Sequence, residues 1–313
     1  METSAERIRA AQERQGRLGE AKAFPKVVLI DTCSYCNLRC SMCVHKDMTR
    51  PKGFMAWPLF KKIVDEIAER NPTTRVWMIF FGEPLIAKRR KPTIFDMIAY
   101  AKDRGLTDVV MNSNANLLDD EAAQKLIAAG LDAIYIGIDA AKPESYARIR
   151  VGGDFDTVVA NVKNLLRRIR AVRSPLKVFV QFVEMDDNAN ERDEFVRFWS
   201  SLGANVKIRP KVSWAGKIEA PNLVLGDRDR WPCYWAMQTM SVTDRGSVVT
   251  CAVDLDAGYV AGDINSSTLA DVWNGRLAAL RQLHRERRFG DLPQPCRDCR
   301  DWQSARAEYV SAD

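Results

Sequence analysis

The chain has 313 residues, 46% hydrophobic and 28% charged, with 47 basic side chains against 41 acidic ones and a formal net charge of +6. This is an ordinary globular composition, long enough for one large domain and a smaller one. It argues against a membrane span, since no apolar run approaches about 20 residues, and against a nucleic-acid binder, since the basic clusters at 87–92, 165–173 and 281–289 lack interleaved aromatics.

In chain order, residues 1–24 are polar and lack the apolar core of a signal peptide. They read as a lead-in, and a cytoplasmic location is expected. Residues 26–31 (KVVLID) form a short buried strand, with a cysteine-rich loop directly after it. A helix begins at Pro58, with Leu59, Phe60, Ile63 and Ile67 on one face. The strand 75–81 runs into Gly-Glu-Pro. Helix 94–104 stops at Gly105 before strand 108–113, and helix 120–129, capped by Asp119, stops at Gly130 before strand 133–139. Helix 155–173 precedes strand 177–184, and helix 190–202 stops at Gly203 before strand 205–209. Continuous apolar strands separated by amphipathic helices predict a parallel sheet covered by helices. Six such units are too few for a full eightfold barrel. In such sheets chemistry gathers at the C-terminal strand ends, where both the cysteine loop and the Gly-Glu-Pro turn lie.

The regular pattern ends at Pro210, which places a first domain at 25–210. Residues 211–232 suit a bridge, and 233–313 a second domain with a hairpin at 240–254 and one helix at 268–288.

Eight cysteines in a chain without an export signal predict metal or redox chemistry rather than disulfides. With only His45 and His284 available, cysteine must do the ligation. Cys36, Cys40 and Cys43 form C-x3-C-x2-C, which leaves one position open on a four-site centre. A closed zinc site using Cys33 or His45 as the fourth ligand is the alternative. Cys233, Cys251, Cys296 and Cys299 supply four further thiols, compatible with a zinc ribbon or a fully ligated cluster.

Several stretches resemble the radical S-adenosylmethionine (SAM) superfamily: CNLRC at 36–40, FFGEP at 80–84 (similar to GGEP), NSNANLL at 112–118 and GIDAAKPESYARIR at 137–150. The resemblance implies a SAM-binding [4Fe–4S] cluster on Cys36, Cys40 and Cys43. It also implies that Gly82, Glu83 and Pro84 receive the SAM ammonium group. Ser113 or Asn114 would lie near the ribose or methionine, Asp139 near the ribose hydroxyls and Arg150 at the carboxylate. The usual serine of the 137–150 segment is Gly137. The C-terminal spacing and GDINSSTLADVWNG (262–275) resemble SPASM domains. Those carry seven cysteines; four here match the truncated twitch form with one auxiliary [4Fe–4S] cluster, as in the 2-deoxy-scyllo-inosamine dehydrogenase-like enzymes.

The implied fold is a partial (β/α)6 TIM-like barrel followed by a small α+β twitch/SPASM-like domain. The implied cofactors are SAM and two [4Fe–4S] clusters. The implied reaction uses a 5′-deoxyadenosyl radical to oxidise a secondary alcohol of a sugar or cyclitol, with the auxiliary cluster accepting an electron. A small-molecule substrate and an external donor such as flavodoxin or ferredoxin follow, with no nucleic acid or membrane partner. Peptide modification, redox-neutral epimerisation and a non-catalytic zinc or electron-transfer role are the alternatives. Candidates for the proton-handling group are Arg209, Lys211, Gln181 and Glu184. Cys33 is expected to be a buried structural residue, with hydrogen-atom donation as its alternative role.

Overall fold

The computed structural model describes residues 23–304 and 307–312; of the lead-in expected at 1–24, residues 1–22 lie outside them. Six strands, β1 (Val27–Ile30), β2 (Arg75–Trp77), β3 (Val109–Ser113), β4 (Ala133–Gly137), β5 (Lys177–Glu184) and β6 (Asn205–Pro210), pair in parallel in chain order. Helices connect them: Trp57–Arg70, Ile94–Asp103, Asp120–Ala128, Phe155–Val172 and Arg192–Ser201. This is the expected partial barrel. The Asp119 carboxylate caps its helix by accepting from the Ala122 N–H, and Gly105, Gly130 and Gly203 end theirs with positive φ.

Strand alternation separates two faces. Val28, Ile30, Met111, Ile134, Ile136, Val178, Val180, Phe182, Val206 and Ile208 pack under the helices in the main core. Val110, Ala133 and Tyr135 line the opposite, inner face with Trp77 and Phe179. Tyr135 stacks on Phe179 with ring centroids 4.7 Å apart, and Trp77 lies 5.1 Å from Tyr135. The inner face therefore has an aromatic floor.

Two expectations need revision. Strand β2 spans only Arg75–Trp77 rather than 75–81. After Met78 its backbone turns toward the cysteine loop, and Gly82 takes φ +96°. The helix expected at 268–288 is two, Leu269–Asn274 and Arg276–Arg285, interrupted at Gly275. The C-terminal region continues the barrel sheet. Its strand β7 (Thr239–Val242) pairs in parallel with β1, then β8 (Ser247–Val249) and β9 (Val260–Asp263) follow antiparallel. Strand β10 (Glu308–Val310) pairs antiparallel with β6 at the other edge, giving one ten-stranded sheet. An open barrel leaves two strands with unpaired backbone groups, and the C-terminal region satisfies both.

Candidate active site

The cysteine loop leaves β1 and is fastened on three sides at the strand ends. Arg39 N donates to Val151 O and Ser41 N to Ile149 O, both at 2.9 Å. The Asn37 amide oxygen accepts from Asn114 Nδ2 at 2.8 Å, and His45 Nε2 lies 2.7 Å from Ser34 O. Cys36, Cys40 and Cys43 gather with Leu38, Met42, Ile149 and Met185 in one apolar nest. Burial pushes the Cys36 thiol up to about 12 and raises Cys43 as well. Such thiols ionise only when a cation draws them, so metal loading there releases protons.

Gly82 fixes the second strand end against this loop. A Cβ there would stand 2.6 Å from Tyr35 O and closer still to Cys33 O, in a backbone conformation already unfavourable for side chains. Glu83 N donates to Tyr35 O at 2.7 Å. The Glu83 carboxylate is 1% exposed and accepts from Asn114 N (2.6 Å), Ser113 Oγ (3.0 Å) and Leu85 N (3.1 Å). Burial raises its affinity for a proton, and these donors oppose that shift. Pro84 begins a short 3-10 helix behind it. Gly82, Glu83, Ser113, Asn114 and the cysteine loop are thus one hydrogen-bonded unit.

Asp139 and Arg150 meet beside it. The Asp139 carboxylate is fully buried, accepts from Val183 N at 2.7 Å and forms an ion pair with Arg150. Arg150 Nη1 lies 3.6 Å from Cys40 Sγ. The guanidinium crosses the inner face over Gly137, where a Cβ would come within 2.8 Å of its Cζ. The absence of the usual serine therefore has a steric consequence: glycine makes room for Arg150.

The proton-handling candidates divide. Gln181 (β5) and Arg209 (β6) share the inner face, and Gln181 is buried. Glu184 shares the outward parity of Val178, Val180 and Phe182 and is exposed, so the structure does not bring it to the site. Lys211 follows β6, and its carbonyl accepts from Asn222 Nδ2 at 3.0 Å. Cys33 is buried, its thiol 3.7 Å from Tyr35 O and pushed up to about 12 by burial. Its backbone bridges Phe54.

The second thiol set lies in the C-terminal region. Cys233 and Cys296 pack with Ala236, Leu280, Leu283, Leu292 and Phe289. Cys251 is raised well above the ordinary thiol range, by burial first and then by Cys296, Cys233 and Cys299. Arg230 braces this set by donating to Cys296 O and Arg297 O, both at 2.7 Å. All eight cysteines are free thiols. Among the described residues no three His, Cys, Asp or Glu side chains stand as a single-ion site. A four-iron cubane is wider than one ion and meets each thiolate at a separate corner.

Sequence reasoning missed how the two sets are joined. Asp301, two residues beyond Cys299, accepts from Ser213 N (2.5 Å), Ser213 Oγ (2.9 Å) and Ala215 N (2.8 Å). Trp214, held between them, donates from Nε1 to Met42 O at 2.8 Å and packs against Phe81, centroids 5.3 Å apart. Met42 lies between Cys40 and Cys43. A second tie runs through Arg50, which pairs with Asp31 at the end of β1 and with Asp244 (2.5 Å) in the β7–β8 turn. Lys207, on the inner face of β6, was also missed. Its position two residues before Arg209, between the outward Val206 and Ile208, is the signal that finds it.

The comparisons with known proteins agree with this geometry. Residues 30–198 match the model of the Radical SAM superfamily, and residues 233–300 match SPASM, an iron-sulfur cluster-binding domain. A tungsten-containing aldehyde ferredoxin oxidoreductase cofactor-modifying protein of Pyrococcus furiosus is 29% identical over 188 residues, 58% of this chain and 50% of the relative. The chain thus spans about half the length of that relative. The structure of BtrN in complex with AdoMet and 2-DOIA superposes with TM-score 0.63 at 16% identity, covering 90% of this chain and 94% of BtrN. Streptococcus suis SuiB bound to its precursor peptide SuiA gives 0.66 at 15% identity, covering 87% and 70%. At such identities the likeness is one of fold. The two thiol sets fit the cofactors this assignment requires: SAM with one [4Fe–4S] cluster in the barrel, and further iron–sulfur ligation in the SPASM domain. No helix among the described residues is long and apolar enough to cross a membrane. The chain belongs to the radical SAM superfamily.

Proposed function

We propose that this protein is a radical SAM dehydrogenase that oxidises a secondary alcohol of a sugar or cyclitol. One observation carries the reading. Four cysteines gather in the C-terminal region, and Cys33 is the only other thiol outside the first set, which suits one fully protein-ligated auxiliary cluster. When bound, SAM and the first cluster supply a 5′-deoxyadenosyl radical for hydrogen abstraction, and an auxiliary cluster supplies a one-electron acceptor for the substrate radical.

The chain's own residues position and enclose this chemistry. Gly82, Glu83 and Pro84 would receive the SAM ammonium, with Ser113 and Asn114 orienting the Glu83 carboxylate. Asp139 and Arg150 would meet the ribose and carboxylate, which requires the ligand to share or replace their mutual ion pair. Gln181 and Arg209 face the interior and would orient the alcohol. Lys211 at the strand end is the remaining proton acceptor of the original four. Flavodoxin or ferredoxin would deliver the reducing electron.

Support for a small substrate comes from the match to nearly the full length of BtrN, solved with 2-DOIA. A peptide-modifying role is the second reading, favoured by the TM-score of 0.66 to SuiB with its precursor peptide. The test is anaerobic incubation of the fully loaded protein with SAM, reductant and panels of cyclitols, sugars and peptides. Stoichiometric 5′-deoxyadenosine with a product lighter by two hydrogens is the expected result. An isomeric product with solvent deuterium would replace dehydrogenation by epimerisation.

A further inference from the structure

Lys207 and Arg209 stand on the inner face of β6, two residues apart and therefore on the same side of the strand. Neither has a carboxylate partner among the described residues. The Lys207 ammonium faces rings instead: Tyr135 at 4.9 Å, Tyr309 at 5.5 Å and Trp77 at 5.6 Å from the ring centroids. Buried Arg209 Nε has no hydrogen-bond partner. The other cations nearby are matched: Arg75 donates to Asp108 at 2.8 Å, and Arg150 pairs with Asp139.

The excess of positive charge survives loading in the oxidised, resting state of the cluster. A [4Fe–4S] cluster in its dipositive state with three thiolates carries one net negative charge, and SAM carries one net positive charge. These cancel, the Glu83 carboxylate offsets one more cation, and one of the Lys207–Arg209 pair remains uncompensated. Unpaired charge in a partly dry interior is costly unless a ligand neutralises it. Both groups are held below their ordinary range by burial; for Lys207 the neighbouring Arg209 and Arg75 add to this and bring it to about 7.

We propose that the substrate carries one anionic group, a carboxylate or a phosphate, bound by Lys207 and Arg209 on the inner face of β6 above the Trp77–Tyr135–Phe179 floor. This rests on reading the barrel interior as the substrate chamber, and it narrows the substrate from any sugar or cyclitol to an acidic one. An aminated, cationic ring is disfavoured there by like-charge repulsion. The anion binds the protonated amine, so binding takes up protons near pH 7 and weakens as pH rises above that value.

The test is calorimetric titration of the cluster-loaded, SAM-bound protein with four probes on one ring: D-glucuronate, D-glucose 6-phosphate, D-glucose and D-glucosamine. At least one of the two anions is expected to bind, and which of them does separates carboxylate from phosphate. Lys207→Met is expected to weaken that binding roughly tenfold or more, and Lys207→Arg to retain it within a few fold. Failure of both anions to bind, equal binding of glucose or glucosamine, or anion binding unchanged in Lys207→Met would each overturn the proposal. Reductive SAM cleavage without substrate is measured in the same preparations. Its persistence while anions fail sinks only this inference, whereas its absence sinks the reading of the site itself.

Discussion

The two thiol sets differ in what surrounds them. Cys36, Cys40 and Cys43 sit on a loop at the barrel mouth beside polar groups with capacity to spare: the Glu83 carboxylate, the Asn114 amide and the Arg150 guanidinium. Cys233 and Cys296 pack among apolar side chains beside the Arg230 brace, Cys251 is buried, and Cys299 accepts from Asp301 N at 3.3 Å. Three thiols leave one position of a four-site centre for a reacting ligand, with the Glu83, Asn114 and Arg150 groups beside their apolar nest. Four thiols leave none, and suit a centre that only stores or passes an electron. On the proposed assignment, two sites with the same ligand chemistry would be given different work by their neighbours.

The largest effects come from removing a thiol on either side. Cys40→Ala is expected to halve the iron content from about eight to about four per chain and abolish SAM cleavage. Cys296→Ala is expected to cause the same iron loss while SAM cleavage persists. Iron analysis and 5′-deoxyadenosine quantification read both, and identical phenotypes would erase the distinction.

Gly82→Ala comes next. The backbone conformation alone costs about 1–3 kcal/mol, and the added methyl collides with the cysteine-loop carbonyls. Loss of the barrel cluster with retention of the auxiliary one, followed by Mössbauer spectroscopy, is expected. Arg230→Met is the converse, removing two charge-assisted bonds to carbonyls worth about 1.5–3 kcal/mol each. It should lower the melting temperature by several degrees and deplete the auxiliary cluster first. Trp214→Phe is the mildest, deleting one hydrogen bond to Met42 O worth about 0.5–1.5 kcal/mol. Both clusters should load normally, with a small drop in melting temperature; unchanged stability would mean the Trp214 tie holds nothing in place.

Much of this was legible in the sequence because local patterns carried it. Continuous apolar strands, the capping Asp119 and the glycines at helix ends are short-range signals, and the thiol spacing exposes both sets. What was not legible depends on long-range pairing. Nothing near residue 239 announces that β7 will extend β1, because the drive is the unpaired edge of a distant strand. Arg50 looks like a surface arginine until Asp31 and Asp244 close around it. Glu184 and Gln181 both lie near the end of β5, and only strand parity shows that one turns outward and the other inward. Lys207 needed the same parity reasoning already available from Arg209.

On the proposed assignment one thiol set meets SAM and the other does not. Electron paramagnetic resonance of the reduced protein, recorded with and without SAM, tests it in two variants: one lacking the Cys296 and Cys299 thiols, the other lacking those of Cys36, Cys40 and Cys43. SAM is predicted to change the cluster signal in the first variant and leave it unaltered in the second. A SAM-dependent change in the second variant, or none in the first, would contradict the assignment.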